Sequence, residues 1–436
     1  MKRACLFVVL VGALLAVGCG GSSSGGSSSG GSSSKSGATK GGHVSISIWE
    51  GYTQGESVAI KKLAAQFNAS HPGITVTPQF YGNSDYALQK VLAAIAGGKP
   101  PDISYLYGSN AANIAASGKL VSLNKYVSDP SFGWNHFYKV EREVATVNGK
   151  VTGIPALVDN LALVYNKKLF AQAGIAPPTA NWTWNDFENA ALKLTDPSKK
   201  QFGWAYVNDA SEDTVWRFWA MLWQAGGQIL SADNKQAAFN SPAGLKALTL
   251  LQQLVAHKSI YLDNGSDNYV NVFNAGHIGM LWTGPWDLQQ ITASKVSYGV
   301  QILPAAENHQ TISGPDDWVM FDNGSARVAA SWTFLKWLTS PKIDLEWGLM
   351  TGDLPIRDDV AQQPGYKQFA RKYPGIDLWV KNLDNATQAR PVLTTYPKIS
   401  TVVGQAVQSV LLGKTQPQQA LNQASQQVNG ILSAPS

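Results

Sequence analysis

The chain has 436 residues, of which only 14% are charged, and a net charge of +5. It has no basic run, which argues against a nucleic-acid-binding class. Its cysteines are Cys5 and Cys19. If Cys5 leaves with a leader, the body of the chain has no thiol pair for a disulfide or a thiolate metal site.

Lys2 and Arg3 precede an almost wholly apolar run, Ala4 to Val17. A membrane span needs about 18 to 20 apolar residues, so this run predicts a secretory signal peptide instead. It ends in Leu15-Ala16-Val17-Gly18-Cys19, which resembles the lipobox of bacterial lipoproteins. In that family the small residues admit the processing peptidase and the cysteine, here Cys19, receives the lipid. Ala16 stands where the family usually has leucine, and an incidental thiol at a plain cleavage site is the alternative. Removing residues 1–18 takes two positive charges and no acidic one, so +5 becomes +3.

Gly20 to Gly42 is nearly all Gly and Ser. Such a tract has nothing to bury and predicts a coil reaching about 25 to 30 Å from its anchor. Gly21-Ser22-Ser23-Ser24-Gly25 spells the hydrolase pattern G-x-S-x-G, but no strand precedes it and no helix follows, so its mechanism is absent.

Val44 to Trp49 alternates apolar and polar residues and predicts a strand. Ile60, Leu63, Ala64 and Phe67 recur at helical spacing over Glu56–Ser70, and His71-Pro72-Gly73 ends that helix. A strand over Ile74–Phe80, a helix over Tyr86–Ala96 and a strand over Asp102–Tyr107 complete βαβ units on a mostly parallel sheet. Ligands of such sheets bind beyond the carboxyl ends of the strands, at the switch in strand order. Trp49 to Thr53 and Tyr107 to Asn110 are therefore candidate site segments.

A second α/β region follows. Leu161–Tyr165 reads as a strand, Lys167–Ala173 as a helix, and Trp184–Leu194 as a helix capped by Thr183. Ser241-Pro242 opens a helix through His257, with Leu245, Leu248, Leu251, Leu254 and Val255 as its apolar stripe. Ile278–Trp282 and Tyr298–Leu303 read as strands, and Arg327–Leu338 as a helix ended by Pro341. Two C-terminal helices, near Ile399–Leu412 and Pro417–Leu432, flank Gly413. The 15 tryptophans supply flat apolar faces with a donor at the edge. Most must be core, and a few are available to stack on a ligand.

Several signatures in this order resemble the family 1 extracellular solute-binding proteins, the maltose-binding-protein-like receptors of sugar importers. Gly97-Gly98-Lys99-Pro100-Pro101-Asp102-Ile103 and Gly118-Lys119-Leu120 come first. Gly153-Ile154-Pro155, Tyr165-Asn166-Lys167-Lys168-Leu169-Phe170 and Thr183-Trp184-Asn185-Asp186-Phe187 follow, then Phe273-Asn274-Ala275-Gly276 with Met280, Gly284-Pro285-Trp286 and Arg390-Pro391. Each is weak alone; together they are colinear from about residue 44 to 432.

The resemblance implies an α/β, two-lobed periplasmic-binding-protein-like fold of type II, with a hinge and an inter-lobe cleft. The organisation expected is a signal at 1–18, a lipidated tether at 19–42, first-lobe segments at 43–157 and 296–341, and second-lobe segments at 158–295 and 342–436. It further implies an extracytoplasmic, lipid-anchored monomer that delivers a small-molecule sugar to the permease subunits of an ABC importer.

Trp286, after a Gly-Pro break, is where the family commonly stacks a tryptophan on a sugar; packing is the alternative. Asp159 lies where related receptors place an acid at the inter-lobe crossing, and a carboxylate accepts hydroxyl hydrogen bonds on two oxygens. Glu50, Tyr52, Ser109 and Asn110 follow from the switch-point argument, although Ser109 and Asn110 also suit capping of a helix over Ala111–Ala116. Asp316, Asp317 and Trp318 lie in a Gly-Pro loop where the family often has a turn near the ligand. Trp216 and Tyr396 are further candidates, with core packing as the alternative.

The six histidines show no ligand spacing, and no nucleotide fingerprint appears, so no metal or cofactor is expected. A glycosidase would need two carboxylates flanking one bond; Glu50 and Asp159 form the pair to examine. A phosphorylated polyol would require clustered Arg or Lys. Among the candidates only Arg217, beside Trp216, is cationic, so a neutral sugar is favoured.

Overall fold

The computed structural model describes residues 42–434, apart from Thr53, Asn83, Ser266 and Asp267. The expected signal peptide, the lipidation site Cys19 and nearly all of the tether lie outside the described residues. Among the described residues no helix is long and apolar enough to cross a membrane.

The first sheet begins as the alternation predicts. Strands β1 (Val44–Glu50), β2 (Ile74–Phe80) and β3 (Ile103–Tyr107) run parallel, with helices Gln54–Ser70 and Ser84–Ala96 between them. A two-residue hairpin, β4 (Thr146–Val147) and β5 (Lys150–Val151), leads into β6 (Gly153–Leu157). The second sheet takes β7 (Ala162–Asn166), β8 (Phe202–Val207), β9 (Ile260–Asp263), β10 (Ile278–Thr283) and β11 (Tyr298–Gln301). The chain then returns to the first sheet as β12 (Asp316–Met320), antiparallel to both β3 and β6. The orders are β2-β1-β3-β12-β6 and β11-β7-β10-β8-β9.

Two segment boundaries differ from expectation. Tyr298–Gln301 does not begin the return to the first lobe, because it pairs with β7 along Tyr298↔Asn166 to Gln301↔Leu163. Helix Pro341–Thr351 packs on the first-lobe helix Gln54–Ser70, and Gln66 Nε2 donates to Glu346 Oε2 at 3.3 Å. The passage to the C-terminal helices therefore falls later than residue 341. Helices Tyr396–Leu411 and Pro417–Ser433 close on Glu212–Gln224 and Pro242–Ala256 of the second lobe.

Sequence patterning set most elements. Thr183 accepts from the Asp186 backbone, and Asp186 returns the bond to Thr183 N, a complete capping box. Strand β12 was hidden by its composition: Asp316-Asp317 opens it, and aspartate is depleted in strands. Nine tryptophans are buried, most of them in the second-lobe core, where Trp204, Trp219, Trp223 and Trp282 are almost wholly enclosed.

The crossings between the sheets are bonded to one another. Residues 158–161 and 302–315 meet at the Asn160↔Ser313 bridge, and Gly314 N donates to Asp159 Oδ1 at 2.7 Å. A third segment joins them, since Asn382 Nδ2 donates to Asn160 Oδ1 at 2.7 Å and to the Leu161 carbonyl at 3.0 Å. These bonds put the acid at 159 beside the start of β12.

Candidate functional site

A cavity of about 270 Å³ opens between the lobes, beyond the carboxyl ends of β1 and β3. Gly51 and Tyr52 reach it from the end of β1, and Tyr105 and Tyr107 from β3. Leu157 lines it from the end of β6, Asp159 and Gly314 from the crossings, and Asp316 from β12. The second lobe contributes the first turns of helix Glu212–Gln224, together with Tyr269, Trp286 and Asp287; Arg390 comes from the loop before the C-terminal helices.

Five of the expected residues meet there: Tyr52, Asp159, Trp216, Trp286 and Asp316. Trp286 is half-buried in the turn Pro285–Asp287 after β10. Its ring lies against the backbone of Gly284, where a Cβ would fall 1.9 Å from Trp286 Cζ3. Only glycine lets the ring take this position. Trp216 stands 5.6 Å away, centroid to centroid, tilted by 55°. Tyr52 rests on Tyr105 at 4.5 Å and on Trp347 at 5.0 Å, which fixes the first-lobe side of the wall.

The other expected residues do not line the cavity. Glu50 is fully buried under the turn, accepting from Tyr52 N at 2.9 Å, and burial raises its pKa. It does not face Asp159 across the cleft, so that glycosidase pairing is not formed. Ser109 and Asn110 are buried in the short turn Gly108–Asn110, and Asn110 makes no side-chain cap on the helix Ala111–Ala115. Asp317 and Trp318 belong to β12 rather than to a loop. The two-residue repeat of the strand directs Asp316 to the cavity and Asp317 to the opposite face. Trp318 packs behind Tyr52 and Tyr105 at 5.8 and 5.6 Å. Tyr396 is buried beneath the wall, donating to Glu212 Oε1 at 2.8 Å and accepting from Trp219 at 3.1 Å.

The unforeseen wall residues include a group of acidic ones. Asp209, Glu212 and Asp213 surround the start of a helix, where a carboxylate favours the exposed N–H groups. Ser211 caps that helix, a signal legible in the sequence. Arg390 donates to Glu212 Oε1 at 3.0 Å, and Arg217 is fully buried and ion-paired with Asp213. Asp287 accepts from Tyr269 at 2.8 Å and from Thr283. Burial pushes Asp159 well above the usual carboxylate range, and the neighbouring Asp316 adds to the shift. Burial brings Asp316 to about 7, against the lowering effects of the Tyr105 hydroxyl and Arg390.

Among the described residues, His136, Asp358 and Asp359 also bring metal-ligating atoms together. This trio does not line the cavity, and Arg357 already holds Asp359 in a two-bonded ion pair. The cavity wall carries no histidine. Its aromatic faces suit stacking, and its carboxylates suit donors such as hydroxyl groups.

Known proteins share this architecture. The cyclic alpha-maltosyl-1,6-maltose binding protein of Arthrobacter globiformis is 28% identical, with a TM-score of 0.76 over 90% of this chain and 99% of that one. A solute-binding protein of Thermotoga lettingae bound with alpha-D-tagatose is 26% identical, with a TM-score of 0.80 over 89% and 100%. The sn-glycerol-3-phosphate-binding periplasmic protein UgpB of Pectobacterium atrosepticum is 26% identical over 86% of this chain and 88% of that protein. Residues 51–344 match the family described as bacterial extracellular solute-binding protein, and the chain belongs to this family of receptors for ABC importers.

Proposed function

We propose that the chain is a lipid-anchored receptor that captures a mono- or oligosaccharide without anionic groups and delivers it to ABC permease subunits. The observation that carries this reading is the charge of the wall. Arg390 is the one cation among the described lining residues, and Glu212 already holds it at 3.0 Å. A phosphate needs free charge-assisted donors. A sugar needs hydroxyl acceptors and an apolar face for its ring, which Asp159, Trp216 and Trp286 offer. Bound ligand contacting both lobes would favour the closed state by its differential contacts. Cys19 would carry the lipid and residues 20–42 the tether, with the receptor acting as a monomer outside the cytoplasm.

The second reading, a glycerol-phosphate type of ligand, rests on the similarity to UgpB of Pectobacterium atrosepticum. A thermal-shift screen of residues 43–436 separates the two. A ligand at a hundredfold excess over Kd stabilises the folded state by about 2.7 kcal/mol, which raises the midpoint. At least one sugar should shift it, with glycerol phosphates inert. A response to phosphorylated polyols alone moves the assignment to the second reading.

A further inference from the structure

The cavity has a strong charge imbalance. Seven carboxylates reach its wall against the single guanidinium of Arg390. Five of them have surroundings that explain them: Glu56 sits in the first turn of the helix Gln54–Ser70, Asp209 bonds Ser211 and Thr214, Glu212 holds Arg390, Asp213 holds Arg217, and Asp287 bonds Tyr269 and Thr283. Asp159 and Asp316 differ. Both are more than nine-tenths buried, yet neither is hydrogen-bonded to a cation. Asp316 uses one oxygen to accept from Tyr105; its buried Oδ1 has no partner within hydrogen-bond geometry, although the Gly108 backbone N–H, bonded to the Pro315 carbonyl at 2.9 Å, lies near enough to lower the carboxyl's pKa.

We propose that the ligand is a sugar bearing a basic amine, whose ammonium group sits between Asp159 and Asp316. The inference rests on the sugar-receptor reading and names the class of sugar. Two buried carboxyl groups carry charge only at a cost, and without a cation beside them they hold their protons instead; a bound ammonium would keep them ionised. Arg390 is near enough to affect both, but its guanidinium is bonded to Glu212. A hydroxyl supplies one donor and no charge, whereas an ammonium supplies three donors and the missing positive charge. Trp216 and Trp286 remain available for the sugar ring.

The charged surroundings fix the pH dependence. Tyr105, Arg390 and the Gly108 backbone N–H act on Asp316, as does the charge of Asp317 across the strand; Asp316, Arg390, Asp353 and the Gly314 N–H act on Asp159; Glu141 feels Asp159, Asp316, Asp317 and Arg390. Among the described residues, Arg390 is the cation that acts on all three. Affinity for the amine should fall as pH drops below about 7, because a protonated Asp316 no longer carries the charge that attracts it.

The test is calorimetric titration with matched probes: glucose, galactose and mannose, their 2-amino-2-deoxy forms and N-acetylated forms, and the β-1,4 disaccharides of each. In at least one series the free amine should bind at least about tenfold tighter than both its hydroxyl and N-acetyl counterparts, weakening in high salt as an ion pair does. Asp316→Asn and Asp159→Asn should each bring the ratio of amine to hydroxyl affinity close to one, whatever either substitution does to the hydroxyl form itself. Equal or tighter binding of hydroxyl forms overturns the amine assignment and leaves the receptor reading standing. An amine preference that survives both substitutions also overturns it. Binding of glycerol phosphates but no sugar removes the sugar reading, and this inference with it.

Discussion

The rings of Trp216 and Trp286 lie 5.6 Å apart at 55° on one wall of the cavity, the first from a helix and the second from the turn after β10. Trp216 is almost enclosed while Trp286 is half-buried, so the pair forms an open corner with one fixed face and one accessible face. A flat, partly apolar ligand can rest against the accessible face without disturbing the core behind it. The two residues should therefore respond differently to truncation.

Trp286→Ala should leave folding intact and weaken ligand binding by about 2 kcal/mol or more, the loss of a central aromatic anchor. Trp219→Ala, three residues from Trp216 and fully buried, should instead destabilise the fold by about 3 to 5 kcal/mol. Urea unfolding and calorimetric titration read the two effects separately. Unchanged affinity in the first variant would return Trp286 to a packing role.

Gly284→Ala probes the same ring from below. The added methyl would occupy the position of Trp286 Cζ3, so the ring must swing away. Binding should fall by an amount similar to Trp286→Ala, and the double variant should lose little more than either single one, as coupled neighbours do. Additive losses would show that the glycine acts on something other than the ring.

Asp317 gives a stability signature on the face away from the cavity. It is buried, neither of its oxygens has a hydrogen-bond partner in the structure, and burial raises its pKa from 3.8 to about 7. The folded form therefore binds its proton more tightly than the unfolded chain does. The stabilising contribution is full below pH 3.8 and is lost as pH rises through about 7. Asp317→Asn should be more stable than the parent at about pH 8, with the gap closing towards about pH 4. A gap independent of pH, measured by urea midpoints, would mean that Asp317 ionises as freely as an exposed aspartate.

Cys19→Ser tests the anchor. The variant should leave the membrane fraction and lose lipid label, with sugar binding unchanged. Retention of both label and membrane association would rule out lipidation at Cys19.

Much of the local structure was legible because it is written in short-range chemistry. The capping box of Thr183 and Asp186, the apolar periodicity of residues 60–67 and the alternation of residues 44–49 are set by neighbours in sequence. The strand-end argument located Tyr52 for the same reason, since it needs only the order of strand and turn. The signatures ordered along the chain further disclosed the two-lobed fold. Tertiary packing decided the rest. Asp316 and Asp317 are adjacent identical residues, and only the register of β12 between β3 and β6 sends one to the cavity and the other to the reverse face. Arg390 and Glu212, 178 residues apart, become partners only when the C-terminal helices close on the second lobe. Periodicity distinguishes the two faces of an element; what stands opposite each face depends on contacts made at long range in the chain.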